Sequence, residues 1–189
     1  TLHDAATARN GESVYRFIGR STWCEYCNAW RVERHRLEKA KSALWSPHNR
    51  YLRALARSAM FPILAAATGD IFCALIVLLS MLWAKVLLET VNYIEHYGLR
   101  RKQLPNGRYE PVTEAHSWNS PALLTNLLLF QLQRHSDHHL YARRSYQLLH
   151  HRENAPQLPY GYGAMVVLAL LPPVWFRLMD SRVKAINIG

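Results

Sequence analysis

The sequence predicts an all-α, integral membrane helical bundle, and three observations carry that prediction. Two apolar stretches, residues 51–68 (YLRALARSAMFPILAAAT) and 71–91 (IFCALIVLLSMLWAKVLLETV), each approach the roughly 20 residues that cross a bilayer as a helix. Only Gly69 and Asp70 separate them, a turn signal that makes the pair a transmembrane hairpin with its backbone polar groups satisfied internally. Of the 23 Lys and Arg, Lys85 alone falls between positions 58 and 99, so both ends of the hairpin are expected on the cytoplasmic side. The competing reading is a buried helical hairpin in a soluble protein. Against it, the run 71–84 is apolar on every face, which a one-sided surface helix is not.

Residues 1–50 precede the hairpin as a cytoplasmic or interfacial helical segment. Tyr15, Ile18, Trp23, Tyr26, Trp30, Val32 and Leu37 recur at helical spacing among arginines, which suits a helix with aromatic residues at headgroup level. SPHN at 46–49 then breaks the helix before the first span. In that span Arg53 and Arg57 sit near the start, where long side chains reach back to the headgroups. Cys24, Cys27 and Cys73 are too few and too badly spaced for a disulfide framework and suit a reducing compartment. The CEYC pair lacks the second ligand pair of a zinc site and reads as two neighbours on one helical face.

The chain has 189 residues, enough for one domain with a real core, but opens on Thr1 and reads as part of a longer polypeptide. Its net charge of +10 fits nucleic acid, anionic lipid or an acidic protein partner, and charge alone does not choose among them. Mean hydropathy is only −0.16, because the apolar stretches offset very basic flanks.

Residues 92–189 read as a cytoplasmic region rich in histidine. Ser120 followed by Pro121 is a helix start, with Ser as N-cap and Pro at the first helical position. From there ALLTNLLLFQLQRHSDHH runs as one predicted helix of about 18 residues, which would place His135, His138 and His139 at i, i+3 and i+4 on one face. Three imidazoles so placed can share one ion or bridge two. Asp137 points elsewhere on such a helix, as an outer-sphere or surface group.

The end of the second span supplies a fourth donor. In LLETVNYIEHYG, Glu89, Asn92 or Tyr93, and His96 repeat every three to four residues, and ionisable groups at the mouth of a membrane helix are functional by default. A Lys85–Glu89 pair at i, i+4 is the bland account of those two residues, whereas His96 has no local partner. Glu89, Asn92 and His116 of HSWNS are candidates for groups that orient the ligands. His150 and His151 read as a solvated face, and His3, His35 and His48 as non-functional. Imidazole suits zinc, copper, iron and nickel alike, so HxxHH alone does not name the metal. The Glu and ExxH pattern of soluble di-iron bundles is absent, so a redox-active ion here would need a histidine-rich site. The stretch 164–176 (AMVVLALLPPVWF) is too short for a span and is broken by Pro172 and Pro173, which suits an interfacial or re-entrant segment.

NYIEHYGLRRKQLPNGRYE, HSWNS, LLLFQLQRHSDHH, RSYQLL and LPYGYGAM together resemble the carboxy-terminal part of the bacterial alkane 1-monooxygenases, integral-membrane alkane hydroxylases. The likeness covers nearly the whole chain and is most specific over 92–139. At 140–144, LYARR departs from the short Asn-Pro-containing stretch of the family. The resemblance implies a six-span, multi-pass protein of the bacterial inner membrane, of which the two spans here would be the last. It implies two non-haem iron ions at a cytoplasm-facing site, with dioxygen as co-substrate and medium to long n-alkanes hydroxylated at the terminal methyl. Electrons would come from rubredoxin and its reductase, and an acidic carrier suits the basic cytoplasmic surface.

By the match of motifs, His135, His138 and His139 correspond to the last histidine box and His96 to the additional histidine of NYIEHYG. The HxxxH and HxxxHH boxes of the family are missing from these residues and are expected upstream of Thr1. Four imidazoles do not fill two irons, so the chain alone would be half a site and inactive. Leu124, Leu128 and residues of the second span are candidate lining for a tunnel that presents only the end of an alkane. The rivals are a fatty-acyl desaturase or aromatic side-chain hydroxylase and, outside enzymes, a basic membrane-anchored binding protein. The last leaves the histidines without a role, and no nucleic-acid partner is expected.

Overall fold

The computed structural model describes residues 4–188, with side chains described as far as 186. Its named elements are all helical: α1 (Val14–Lys39), α2 (Arg50–Ala67), α3 (Ile71–His96), α4 (Leu123–Leu128), α5 (His135–Leu140), α6 (Tyr162–Ala169) and α7 (Pro172–Ile188), with short 3-10 turns at Glu114–His116 and Tyr146–Leu148. The chain divides into two compact units, one of residues 1–19 with 89–189 and the other of residues 20–88. His3 lies outside the described residues.

In the second unit α1 ends as a Schellman motif, with Lys41 in the left-handed region at φ +51° and the N–H of Ser42 reaching back to Leu37 O at 3.0 Å. Trp30 packs edge-on against Tyr51 and tilted against Trp45. The Glu33 carboxylate accepts from Arg36 and from the backbone N–H of Arg50, tying the end of α1 to the start of α2. α1 thus ends before SPHN, which was expected to break it; SPHN instead leads into α2, which Asn49 caps by accepting from the N–H of Leu52 at 3.0 Å.

The expected two-span hairpin is only partly supported. No residue of α2 is buried, yet Arg50, Arg53 and Arg57 put a charge on nearly every turn of its first half, and Pro62 interrupts its second. Among the described residues α3 is the one straight helix long and apolar enough to cross a membrane. At 26 residues and about 1.5 Å per residue it is about 39 Å long, against roughly 30 Å of bilayer hydrocarbon, so its last turns have length to spare. α6 and α7 are bent by 119° at Leu170 and Leu171, just before Pro172 and Pro173, a broken span or re-entrant loop in form.

In the first unit the core gathers around the end of α3. Tyr93, Ile94 and Tyr97 pack with Val14 and Phe17 of α1, Trp118, and Tyr162, Met165, Trp175 and Met179 of α6 and α7. Buried hydroxyls find partners: Tyr93 donates to Glu12 O and Tyr97 to the Asp180 carboxylate, both at 2.7 Å. The chain leaves α3 through Gly98 at φ +73°, whose N–H donates to Ala8 O. A Cβ there would lie 2.6 Å from Val183, so only glycine fits.

The long helix expected from Ser120 to His139 is instead broken. α4 begins only at Leu123, with Ala122 at its N-cap position rather than Ser120, and it ends at Leu128. Phe130 and Gln131 adopt left-handed φ of +50° and +63°, and a separate short helix, α5, then carries the histidines. Buried amides account for the break. Asn126 donates to the carbonyls of Ser120 and Ala122. Gln133 donates to Thr125 Oγ1 and accepts from the N–H of Tyr162, while its own carbonyl accepts from Ser120. Polar side chains that bind backbone in this way compete with a continuous helix.

Candidate metal centre

The last turn of α3 and the short helix α5 bring three imidazoles together. His135 Nε2 stands 3.1 Å from His96 Nε2 and 2.8 Å from His139 Nε2. One ligand atom from each of His96, His135 and His139 lies within 4.8 Å of the others. Nitrogens bonded at about 2.1 Å on adjacent corners of one coordination sphere stand about 3 Å apart, so the donor set fits a single ion. His135 and His139 belong to one helical face at i, i+4, and the end of α3 adds His96 from a residue 39 positions away.

Electrostatics favour the same use. Burial, reinforced by His96, His139 and His138, holds His135 well below the usual imidazole range. Burial, then His138, lowers His139. Neutral imidazoles keep the lone pair that a cation takes. Each inner ring also has an acceptor behind it: His96 Nδ1 faces His116 O at 3.4 Å, and His135 Nδ1 faces Glu95 Oε1 at 3.3 Å. A second nitrogen facing an oxygen is the usual arrangement of a metal-bound histidine.

HSWNS forms the frame behind the rings. The N–H of Trp118 donates to Glu95 O and its Nε1 to Tyr97 O, both at 2.9 Å, which docks the segment on the end of α3. Asn119 and Ser136 exchange two hydrogen bonds, Nδ2 to Oγ at 2.6 Å and N–H to Oδ1 at 3.0 Å, all of it buried. α5 is thereby fixed against the segment that is itself fixed to α3.

The other expected site residues fall in varied places. His138 is exposed, its ring 6.0 Å from His135 and 6.1 Å from His139, and it stands outside the convergent trio. His116 turns its side chain away, with Nε2 on Glu110 Oε1 at 3.0 Å and Nδ1 accepting from the N–H of Thr113, so only its carbonyl serves His96. Asp137 is fully buried rather than a surface group. It accepts from Arg144, from Nε and Nη2 of Arg152 and from the N–H of His150, clamping residues 144–152 to α5. Burial alone would raise this carboxyl, but the N–H of His150 and the two guanidiniums hold it below its ordinary value.

Glu89 is buried two turns before His96, and Asn92 is half-buried. Lys85 pairs with Glu25 at 2.6 Å. His35, His48, His150 and His151 are exposed, as expected of solvated residues. Leu124 and Leu128 are exposed on α4. A cavity of about 90 Å³ opens beside His96 and His139, lined also by Asp4, Thr7, Arg101 and His116. Sequence reasoning missed Glu95, Tyr162 and the Asn119–Ser136 pair. The available signal was IEH itself, an acid beside a candidate ligand histidine in an apolar helix.

The sequence matches the fatty acid desaturase family over residues 1–169. The chain belongs to the fatty acid desaturase family. Within reach of that family, it is 47% identical over 189 residues to alkane 1-monooxygenase 2 of Pseudomonas aeruginosa and 46% identical over 193 to alkane 1-monooxygenase 2 of Alcanivorax borkumensis. Each alignment covers all of this chain and half of the relative. The xylene/toluene monooxygenase hydroxylase component of Pseudomonas putida is 27% identical over 176 residues, covering 93% of this chain and 46% of that protein. The chain thus spans about half the length of the curated relatives it matches. For this member of the desaturase family, the likeness first drawn from NYIEHYG, HSWNS and RHSDHH extends along the whole sequence.

Proposed function

We propose that this chain forms one wall of the iron site of a membrane alkane 1-monooxygenase. The observation that carries the reading is the convergence of the Nε2 atoms of His96, His135 and His139 at the end of an apolar helix of spanning length. The identity to alkane 1-monooxygenases supports the choice of substrate class. In this reading the intact protein hydroxylates the terminal methyl of medium to long n-alkanes with dioxygen, and its electrons come from rubredoxin. It sits in the bacterial inner membrane with several spans and with the histidines facing the cytoplasm.

Iron supplies the oxygen chemistry that an unactivated C–H bond requires, since no side-chain acid or base has a polar handle on it. The residues of this chain hold and orient. His96, His135 and His139 donate three nitrogens, and His138, one turn along, is free to serve a second ion. Asn119 and Ser136 fix the angle of α5, and the His116 carbonyl fixes the ring of His96. Because α3 ends at the site, an apolar substrate reaches it from lipid without crossing water. Leu124 and Leu128 add to the lining, and the basic surface draws an acidic carrier by steering. Four imidazoles do not complete two irons, so further donors come from polypeptide beyond these 189 residues.

The test is product analysis with the full-length enzyme in membranes. Octane or hexadecane should give the 1-alkanol, and His135→Ala should abolish it. Desaturated acyl chains with no alkanol would contradict the substrate assignment, and oxidation of xylene methyl groups alone would favour the aromatic side-chain reading instead.

A further inference from the structure

Glu95 is 1% exposed and has no place in the coordination set just described. Its Oε1 accepts from the hydroxyl of buried Tyr162 at 3.0 Å and lies 3.3 Å from His135 Nδ1. Tyr162 is held in turn through its own N–H, which donates to Gln133 Oε1 at 3.0 Å. The carbonyl of Glu95 accepts from Trp118, so backbone and side chain are both anchored.

An imidazole that gives its Nε2 lone pair to a cation carries its proton on Nδ1, and a buried N–H needs an acceptor. His135 Nδ1 is buried without a hydrogen bond, because its contact to Glu95 has ion-pair distance but not hydrogen-bond geometry. A small turn of the ring closes that bond. His96 presents a contrast, since the oxygen behind it is a neutral backbone carbonyl. The group behind His135 is instead a carboxyl side chain, and when ionised such a partner both fixes the ring and raises the donor strength of the bound nitrogen.

We propose that Glu95 is a positioning residue for His135, accepting its Nδ1–H while the Tyr162 hydroxyl holds the carboxylate in place. The proposal rests on the reading of His135 as a ligand. Its test uses the full-length enzyme, with Fe(II) affinity measured by chelator competition and the Mössbauer spectrum of the ⁵⁷Fe-loaded protein. Glu95→Gln keeps the shape and cannot ionise. It should weaken Fe(II) binding about 10- to 100-fold and change the quadrupole splitting, with the helical circular dichroism unchanged. Tyr162→Phe should move the same spectrum in the same direction by less.

Wild-type affinity and spectrum in Glu95→Gln would overturn the proposal while His135→Ala, by losing iron, leaves the ligand reading intact. If His135→Ala itself keeps wild-type iron and spectrum, the proposal falls together with that reading. Should Glu95→Gln fail to accumulate, Tyr162→Phe decides: a shifted spectrum supports the role and an unchanged one overturns it.

Discussion

The two parts of α3 obey different rules. From Ile71 to Leu88 the helix is apolar and almost wholly exposed, with Phe72, Leu79 and Trp83 each more than three-fifths accessible. From Glu89 to His96 the same helix is buried or half-buried and carries Glu89, Asn92, Glu95 and His96. Apart from Lys85, which pairs with Glu25, the first part needs no partner beyond an apolar solvent. Every polar group in the second needs a specific one, because an unmatched donor or acceptor buried there costs about 1 to 3 kcal/mol. On the proposed reading one helix is a membrane element at one end and the floor of a metal site at the other.

The difference can be broken from either side, and the largest effect is expected in the exposed part. Leu79→Arg should make insertion of α3 less favourable by about 3 kcal/mol, read as the inserted fraction in a translocation assay. No change would mean that this face is covered by protein or water. On the buried side, Asp137→Asn leaves Arg144 and Arg152 without their carboxylate. The penalty for breaking a buried pair is tempered because both arginines are about a quarter to a third exposed, so a loss of about 2 kcal/mol is expected in the unfolding of the full-length protein in detergent. An unaltered midpoint would show that residues 144–152 are held by other contacts.

Gly98→Ala should cost about 1 to 2 kcal/mol, from the positive φ and from the Cβ that would meet Val183. Val183→Ala in the same chain should relieve the steric part only. The smallest effect belongs to the second unit, where Arg36 holds Glu33 down to about 2 from an ordinary 4.5. A carboxyl lowered on folding stabilises fully above about 4.5. That stability should fade as pH falls from there to about 2, and Glu33→Gln should flatten the acid limb of the stability profile by removing the contribution present above about 4.5, pH 7 included.

These contrasts also mark what was legible in the sequence. The 71–91 stretch announces its environment through composition alone, because a membrane selects by hydropathy and length. The shared face of His135 and His139 was legible by spacing, since i, i+4 on one helix is a local fact, and His96 by the polar end of α3; His138, placed on that face at i+3, stands outside the trio. The break at Phe130 and Gln131 was not. It depends on Asn126 and Gln133 finding backbone from Ser120 to Tyr162, and no local pattern shows those partners. The α2 span is only partly supported, because Arg50, Arg53 and Arg57 load its first half with charge beside the apolar second half. Glu95 was passed over because helical spacing puts it off the face of His96, and its partners, His135 and Tyr162, are 40 and 67 positions away. Asp137 was correctly placed off the histidine face, but the arginines that bury it come from the loop beyond.

The central claim is that His96, His135 and His139 bind iron, whereas the solvated histidines do not. The direct measurement is iron per protein by mass spectrometry for the full-length enzyme, His135→Ala and His151→Ala purified side by side. The account predicts a loss of iron in His135→Ala and wild-type content in His151→Ala. Full iron content in His135→Ala would contradict it.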